Sequence, residues 1–404
     1  MSKIDFRRID TTNWQSFVLA ILLFVLSIKG SRTISIGNDF EYTIMMPNFL
    51  AKLKEYVYII SAILIFLFIC FASRSDKRVK YTAPLVIYVV VITYYFLLSY
   101  FLNGQIENLI AILIIQIITP AFLKYQNGSN YSSNFPKLLF AFNVFSILFV
   151  LLNFLLFLFG YGYPDFGQTR YFGAAYHPNS LGAISAIVFG VFISQMAINA
   201  TPKIPKIFLY TFLFVVIFIS IISGSRGSVL MMGVAFLAFS RSAKSFIFSI
   251  IFISIFYFLT VFIVGENSST YSAIDRIVNT QSSNRGEVWM LLFNDFINNP
   301  LFGVGDTTAV SGSIYLTALA GTGLFGGSAF IAVCLVTAKR AFFYVTNKIS
   351  GEIDLSKFIS SIVVLQILVG GFFEATVFDR LSPVSLIMLF CVAIVNMKVL
   401  KGGC

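Results

Sequence analysis

Arg170, Arg226, Arg276, Arg285 and Arg380 each stand in a polar interruption of an otherwise apolar sequence. A guanidinium is a rigid, permanently charged fork of donors that meets phosphate or carboxylate oxygens two at a time, whereas lysine is a looser point charge. Near them in sequence are groups that could move a proton: His177, the one histidine, and the carboxylates Glu287, Asp306, Glu374 and Asp379. Only histidine among these titrates near neutrality when unperturbed. The chemistry this set suits is the handling of an anion, held or formed in a reaction, with a base beside it.

Four segments carry most of these residues. The first runs Arg170-Tyr-Phe-Gly-Ala-Ala-Tyr-His177-Pro-Asn179-Ser-Leu-Gly182 into an apolar stretch, so Asn179 or Ser180 is placed to cap a helix. An ordinary aromatic loop with its cap would read the same way. The second, Ser223-Gly-Ser-Arg226-Gly-Ser228, breaks two apolar runs with small residues. Irregular backbone at such a break must line a cavity or be buried in protein, and the helix start that follows offers free N–H groups to an anion. The plainer alternative is an interfacial turn whose arginine reaches to water. The third, Asn284-Arg285-Gly-Glu287-Val-Trp289, opens an amphipathic helix that Asn284 and Glu287 could cap, with an Arg285–Glu287 pair as the structural alternative. The fourth, Gly303-Val-Gly305-Asp306 and then Gly312-Ser313-x9-Gly323-x2-Gly326, has glycines that permit tight turns and close helix approach. Glu374, Asp379 and Arg380 form a smaller cluster before the last apolar run, where an interfacial salt bridge is the bland account.

What positions these residues is a membrane. The 404 residues are 58% hydrophobic and 11% charged, too apolar for an ordinary soluble globule. Apolar runs of spanning character predict twelve helices, roughly 14–30, 56–72, 82–102, 106–123, 137–160, 180–199, 207–222, 228–240, 246–264, 313–338, 358–374 and 383–400. The fold class expected is all-α, one polytopic domain over 1–404 with a large polar loop at 265–312. Placing both termini in the cytoplasm puts 19 Lys and Arg on that side and 9 on the other. On the outer side the five arginines remain once Lys29, Arg32, Lys52 and Lys54 of the first loop are set aside. The net charge of +11 then follows from topology and anionic lipid and calls for no nucleic acid. The first apolar run has no cleavage site after it and reads as a retained helix.

Several functions are excluded. No nucleotide fingerprint appears. Cys70, Cys334, Cys391 and Cys404 have neither metal-ligand spacing nor a disulfide pattern, and one histidine cannot build a histidine metal site. No cofactor is expected.

Together the segments resemble the O-antigen ligase and polymerase superfamily (Wzy/WaaL-like membrane glycosyltransferases) over most of the chain. Pro178-Asn179-x-Leu-Gly182 resembles the family's PN-x-L-[GA] element, and Ser223-Gly-Ser-Arg226-Gly227 its [ST]-x-SR-[GT] element, the most specific match. Arg285-x-x-x-Trp289 resembles the opening of the large loop's first helix, and Phe302-Gly-Val-Gly305 the F-G-x-G element. Ser313, Gly323 and Gly326, with Tyr315-Leu316 between them, resemble the helix that family ligases open with histidine. Here the histidine position is Gly312. That departure points away from a ligase and towards a repeat-unit polymerase.

The resemblance implies a GT-C-like fold in the bacterial inner membrane and an active site facing the periplasm. It implies a donor glycan on undecaprenyl diphosphate and a second lipid-linked repeat unit as acceptor, with a chain-length regulator as a further partner. On that footing Arg226 and Arg285 are the candidates for the diphosphate. Arg170, Arg276 and Arg380, with Asn179, Glu287, Tyr315 and Glu374, are candidates for glycan or phosphate contact. His177 and Asp306 lead the candidates for the base, with Glu287, Glu374 and Asp379 as rivals. Inversion at the anomeric carbon without a metal is expected. An O-antigen ligase with an unusual base and a polysaccharide flippase are the alternatives. A transporter would place charge near the bilayer midplane in two related halves, a pattern the sequence does not carry clearly.

Overall fold

The computed structural model describes residues 14–28, 33–36, 40–70, 81–104, 106–127, 131–164, 170–175, 177–197, 206–239, 285–305, 312–347, 352–375, 377–378 and 382–397. Along these run α1 (Trp14–Ser27), β1 (Thr33–Ile36), β2 (Phe40–Thr43), α2 (Asn48–Glu55), α3 (Val57–Cys70), α4 (Ala83–Asn103), α5 (Ile106–Asn127) and α6 (Tyr131–Leu158). They are followed by α7 (Pro178–Ala197), α8 (Lys206–Ile222), α9 (Arg226–Phe239), α10 (Arg285–Asn298), α11 (Ile314–Thr346), α12 (Glu352–Gly370) and α13 (Pro383–Asn396).

Ala83–Asn103, Ile106–Leu123, Lys137–Leu158, Pro178–Ala197 and Ile314–Thr346 are long and apolar enough to cross a bilayer, and α2 with α3 makes a sixth candidate bent by 64°. Shorter apolar helices accompany them, α1, α13 and most of α8, α9 and α12. The chain is thus a helical, multi-pass membrane protein.

Every predicted apolar run meets a helix except 246–264, which lies outside the described residues, as does most of the 265–312 loop. Two features depart from the sequence reading. The first loop is not all helix or coil: β1 and β2 pair antiparallel, Thr33 opposite Thr43 and Ile36 opposite Phe40. Alternating β-branched and aromatic residues around Gly37-Asn38-Asp39 carry that signal in the sequence. The second apolar run is also preceded by a separate helix, α2, which turns sharply into α3 at Tyr56.

The chain divides into two compact units, Met1–Leu67 with Lys137–Ser283, and Phe68–Pro136 with Asn284–Cys404. In the first unit α7 is the central element, buried from Pro178 to Gln195 and packed on α8 and α9. A helix apolar or small all round belongs inside a bundle. Two of its hydroxyls are satisfied within the helix, Ser185 and Ser194 donating to the carbonyls of Leu181 and Gly190. Asn143 and Gln195 exchange amide hydrogen bonds of 3.3 and 2.9 Å, tying α6 to α7. At one end of this unit three segments join through their backbones. Met45 N–H donates to Tyr163 O (2.8 Å), Gly162 N–H to Met45 O (2.7 Å) and Phe172 N–H to Gly162 O (2.8 Å).

In the second unit α13 is the buried centre, enclosed along its whole length and packed on α12, α4 and α11. Its Phe390 stacks on Phe122 of α5 at 3.9 Å. α11 is broken within its span at Gly323, where φ is 64° and ψ −168°. The segment after α10 fills the break: Val304 N–H donates to Ala320 O and Gly305 N–H to Gly321 O, both 2.9 Å, while Leu324 N–H donates to Pro300 O at 2.7 Å. Backbone groups freed inside a membrane must find such partners, and the segment from Pro300 to Gly305 supplies them.

Candidate functional site

In the first unit, the two segments around Asn179 and Arg226 form one packed group. Arg170 is buried, its Nε donates to Ser223 O at 3.0 Å, and its terminal nitrogen donates to Asn179 Oδ1. Tyr171 N–H, next in sequence, donates to Ile222 O at 3.2 Å. The guanidinium therefore ties the start of α7 to the turn between α8 and α9. This gives Arg170 a positioning place that its sequence context did not reveal, because the contact joins residues 53 apart.

Gly182 completes the contact. A Cβ there would lie 2.7 Å from Ser225 Cβ and 2.8 Å from Ser223 Oγ. The turn itself is closed by Gly224 at φ 62° and by serine hydroxyls: Ser223 donates to Ser220 O at 2.6 Å, and Ser228 to Ser225 O at 2.7 Å. Ser225 Oγ also accepts from Ser228 N–H at 3.4 Å, the cap of α9. Arg226 is the first residue of α9 and half-buried. A cation there adds to the positive pole of the helix, the reverse of the usual preference, so the local field favours an anion. Gly182→Val is expected to lower stability by about 1–3 kcal/mol through overpacking. Thermal unfolding of the purified protein reads this, and an unchanged midpoint would contradict the close approach.

The cap of α7 is not the one the sequence suggested. The helix starts at Pro178, and His177 Nδ1 accepts from Asn179 N–H at 3.2 Å, so His177 is the capping residue. Pro178 fits the first helical position, where no N–H is required. Asn179, already inside the helix, turns its oxygen to Arg170. A ring whose Nδ1 accepts this bond must release it to take a proton there.

In the second unit, Arg285 opens α10 and meets Glu374 rather than Glu287. Its Nη2 lies 3.6 Å from Glu374 Oε1, its Nη1 donates to Phe373 O at 3.3 Å, and its guanidinium sits 4.6 Å from the Phe373 ring centroid. Glu374 is buried while Glu287 is exposed. Tyr315 donates to Leu368 O at 2.8 Å and packs on Phe372 with ring centroids 4.9 Å apart, which holds the start of α11 against α12. Ser313 caps α11, accepting from Tyr315 N–H at 3.3 Å. Gly312 lies against α10, where a Cβ would come within 2.5 Å of the fully buried Leu292.

Asp306, Arg276, Arg380 and Asp379 lie outside the described residues, as does Asn284. Lys54 was counted in the sequence only towards topology, yet it is buried at 6% exposure. Its spacing from Leu50, four residues earlier on the buried face of α2, was the available signal. Among the described residues no group of three or more His, Cys, Asp or Glu is placed to hold a metal ion.

The described structure defines a class, a multi-pass helical membrane protein with arginine-centred clusters at helix starts. Comparison with known protein families and with characterised proteins finds no match to the chain.

Proposed function

We propose that the protein polymerises lipid-linked oligosaccharide repeat units of a bacterial surface polysaccharide. In this reading the glycan leaves undecaprenyl diphosphate and is joined to the hydroxyl at the non-reducing end of another lipid-linked repeat unit. The bond from the anomeric carbon to the diphosphate oxygen breaks, a glycosidic bond to the acceptor oxygen forms with inversion, and the acceptor proton passes to a base. The diphosphate leaves with the bonding electrons. On the sequence resemblance its growing charge is assigned to Arg226 and Arg285, both of a residue type suited to a diphosphate.

The observation that carries the reading is the packing of the two most family-like segments on each other. Gly182 of Pro178-Asn179-x-Leu-Gly182 fits against the serines of Ser223-Gly-Ser-Arg226-Gly227, and Arg170 joins Asn179 to Ser223. Such mutual fit explains why a glycine and an asparagine are needed at that spacing. The twelve-span GT-C-like topology, with both termini cytoplasmic and the site facing the periplasm, belongs to the same proposal. His177 Nδ1 accepts the α7 cap bond, which favours the carboxylates, Asp306 and Glu374 among them, over His177 as the base in this reading. Among the described carboxylates, Glu374 lies beside an arginine, 3.6 Å from Arg285.

The test is lengthening of supplied lipid-linked oligosaccharide by the purified protein in vesicles without a membrane gradient. Lengthening that persists in EDTA is the expected result. Activity lost in EDTA and restored by magnesium or manganese would refute the metal-independent mechanism. Movement of the lipid-linked substrate without lengthening would favour a flippase, and transfer only to added lipid A core a ligase.

A further inference from the structure

Lys54 carries a buried ammonium that has no hydrogen-bond partner among the described residues. It lies near the end of α2, on the face that also carries Leu50, and Leu50 packs in a cluster with Ile44, Met46, Phe172 and Ala174. The burial is specific, since Lys52, two residues earlier, is exposed. A lysine at a surface normally lets its long stem cover apolar neighbours while the charged head reaches water. Lys54 does not, and an unpaired buried ammonium is strongly unfavourable. The one carboxylate on α2, Glu55, is exposed.

The described residues of the first unit carry little negative charge. Glu41 and Glu55 are the only acidic residues among those described in the first unit, against Lys52, Lys54, Lys137, Arg170, Lys206 and Arg226. Residues 44–46, which lead into α2, share backbone hydrogen bonds with 162–163, and these continue to Phe172 and so to the loop that begins at Arg170. Lys54 is therefore built into the layer that also positions Arg170. A buried cation with no hydrogen-bond partner among the described residues, in a unit whose described residues carry more cations than carboxylates, can be completed by an anion from outside.

We propose that the Lys54 ammonium is the seat of a phosphate oxyanion, supplied by the diphosphate of a polyprenyl-linked substrate or by a phospholipid headgroup. The site itself stands on the buried, unpartnered lysine. Only its assignment to the donor rests on the polymerase reading.

Full-length protein in phosphatidylcholine nanodiscs would be titrated with inorganic pyrophosphate and with farnesyl diphosphate, and compared with nanodiscs containing phosphatidylglycerol. Lys54→Met is expected to weaken diphosphate binding at least tenfold, or to abolish the stabilisation by phosphatidylglycerol. Lys54→Arg should keep most of either effect. The first result assigns the oxyanion to a polyprenyl diphosphate and the second to a headgroup. Unliganded Lys54→Met should unfold no earlier than the parent, because methionine fills a similar volume without the charge. Unaltered response of Lys54→Met to both diphosphates and to phosphatidylglycerol would overturn the proposal. If that variant does not fold, amine acylation of Lys54 in the parent protein, read by peptide mass spectrometry, takes its place. Protection by farnesyl diphosphate or phosphatidylglycerol supports the site, and equal labelling with and without them overturns it. Lys54-dependent diphosphate binding in a protein without transferase activity would retire the polymerase reading and leave this one standing.

Discussion

Arg226→Ala and Arg285→Ala are each expected to lower formation of long polymer about 100- to 1,000-fold, the usual loss when one fixed donor to a developing oxyanion is removed. Membrane insertion should be retained in both. The variants differ in their side effects. Arg226 starts α9 with its side chain half-buried, and the turn before it is closed by serine hydroxyls. Arg285 also lies 3.6 Å from the buried Glu374, so its removal takes a cation from a buried carboxylate and should lower stability as well as activity. Adding Glu374→Gln to Arg285→Ala separates the two effects, because stability should recover while activity stays lost. Lysine at either position should restore activity only in part, since it lacks the planar fork. If both arginines act on one diphosphate, the double alanine variant falls little further than the worse single one. Polymer length is read on gels from cells and from the purified lengthening assay. Normal length from both single variants, with the protein inserted, would end the assignment.

Gly323→Ala is expected to be the most damaging small substitution, at about 2–5 kcal/mol. Of this, roughly 1–2 kcal/mol is the cost of placing a side chain in the left-handed region and roughly 1–3 kcal/mol comes from overpacking. The added Cβ would meet Leu301 O at 2.2 Å, a backbone atom that cannot swing aside. Gly303 is in the same position, with Gly321 C at 2.4 Å and φ of 77°. Gly104 is the control, since its φ is 67° but nothing lies within 4 Å of its Cβ position. Gly104→Ala should therefore show the conformational part alone. Thermal unfolding in detergent gives the comparison, and equal losses at Gly323 and Gly104 would mean that the 300–305 segment does not pack into the broken helix.

The helices were legible in the sequence because a bilayer demands long apolar runs whatever their neighbours are. The break between α8 and α9 was legible too, as Ser223-Gly-Ser is too polar and flexible to continue a span. The break in α11 was not. Gly323 read as a packing glycine, and only its φ and the backbone bonds from Pro300, Val304 and Gly305 show an opened helix. Single residues failed for the same reason, that their partners are distant in sequence. Arg170 meets Ser223, and Arg285 meets Glu374 instead of nearby Glu287. The capping histidine was missed because His-Pro opens a helix less familiarly than Asn or Ser. The ribbon Thr33–Thr43 was missed although its alternation was present, because the apolar runs on either side dominated the reading.

The closeness of Gly312 to Leu292 also bears on how such a chain could change over time. A histidine at Gly312 would complete the likeness to the ligase pattern that the sequence resembles, and a single codon change does not produce it: every glycine codon differs from every histidine codon at two or more bases. The intermediate residues would each carry a Cβ towards a leucine tip that is already buried, with Val288 3.4 Å away on the same helix. Trimming Leu292 first would open the space but leave a void between α10 and α11 until the ring arrived. Any route from glycine to histidine at this position thus runs through less stable proteins, a barrier of packing rather than of chemistry.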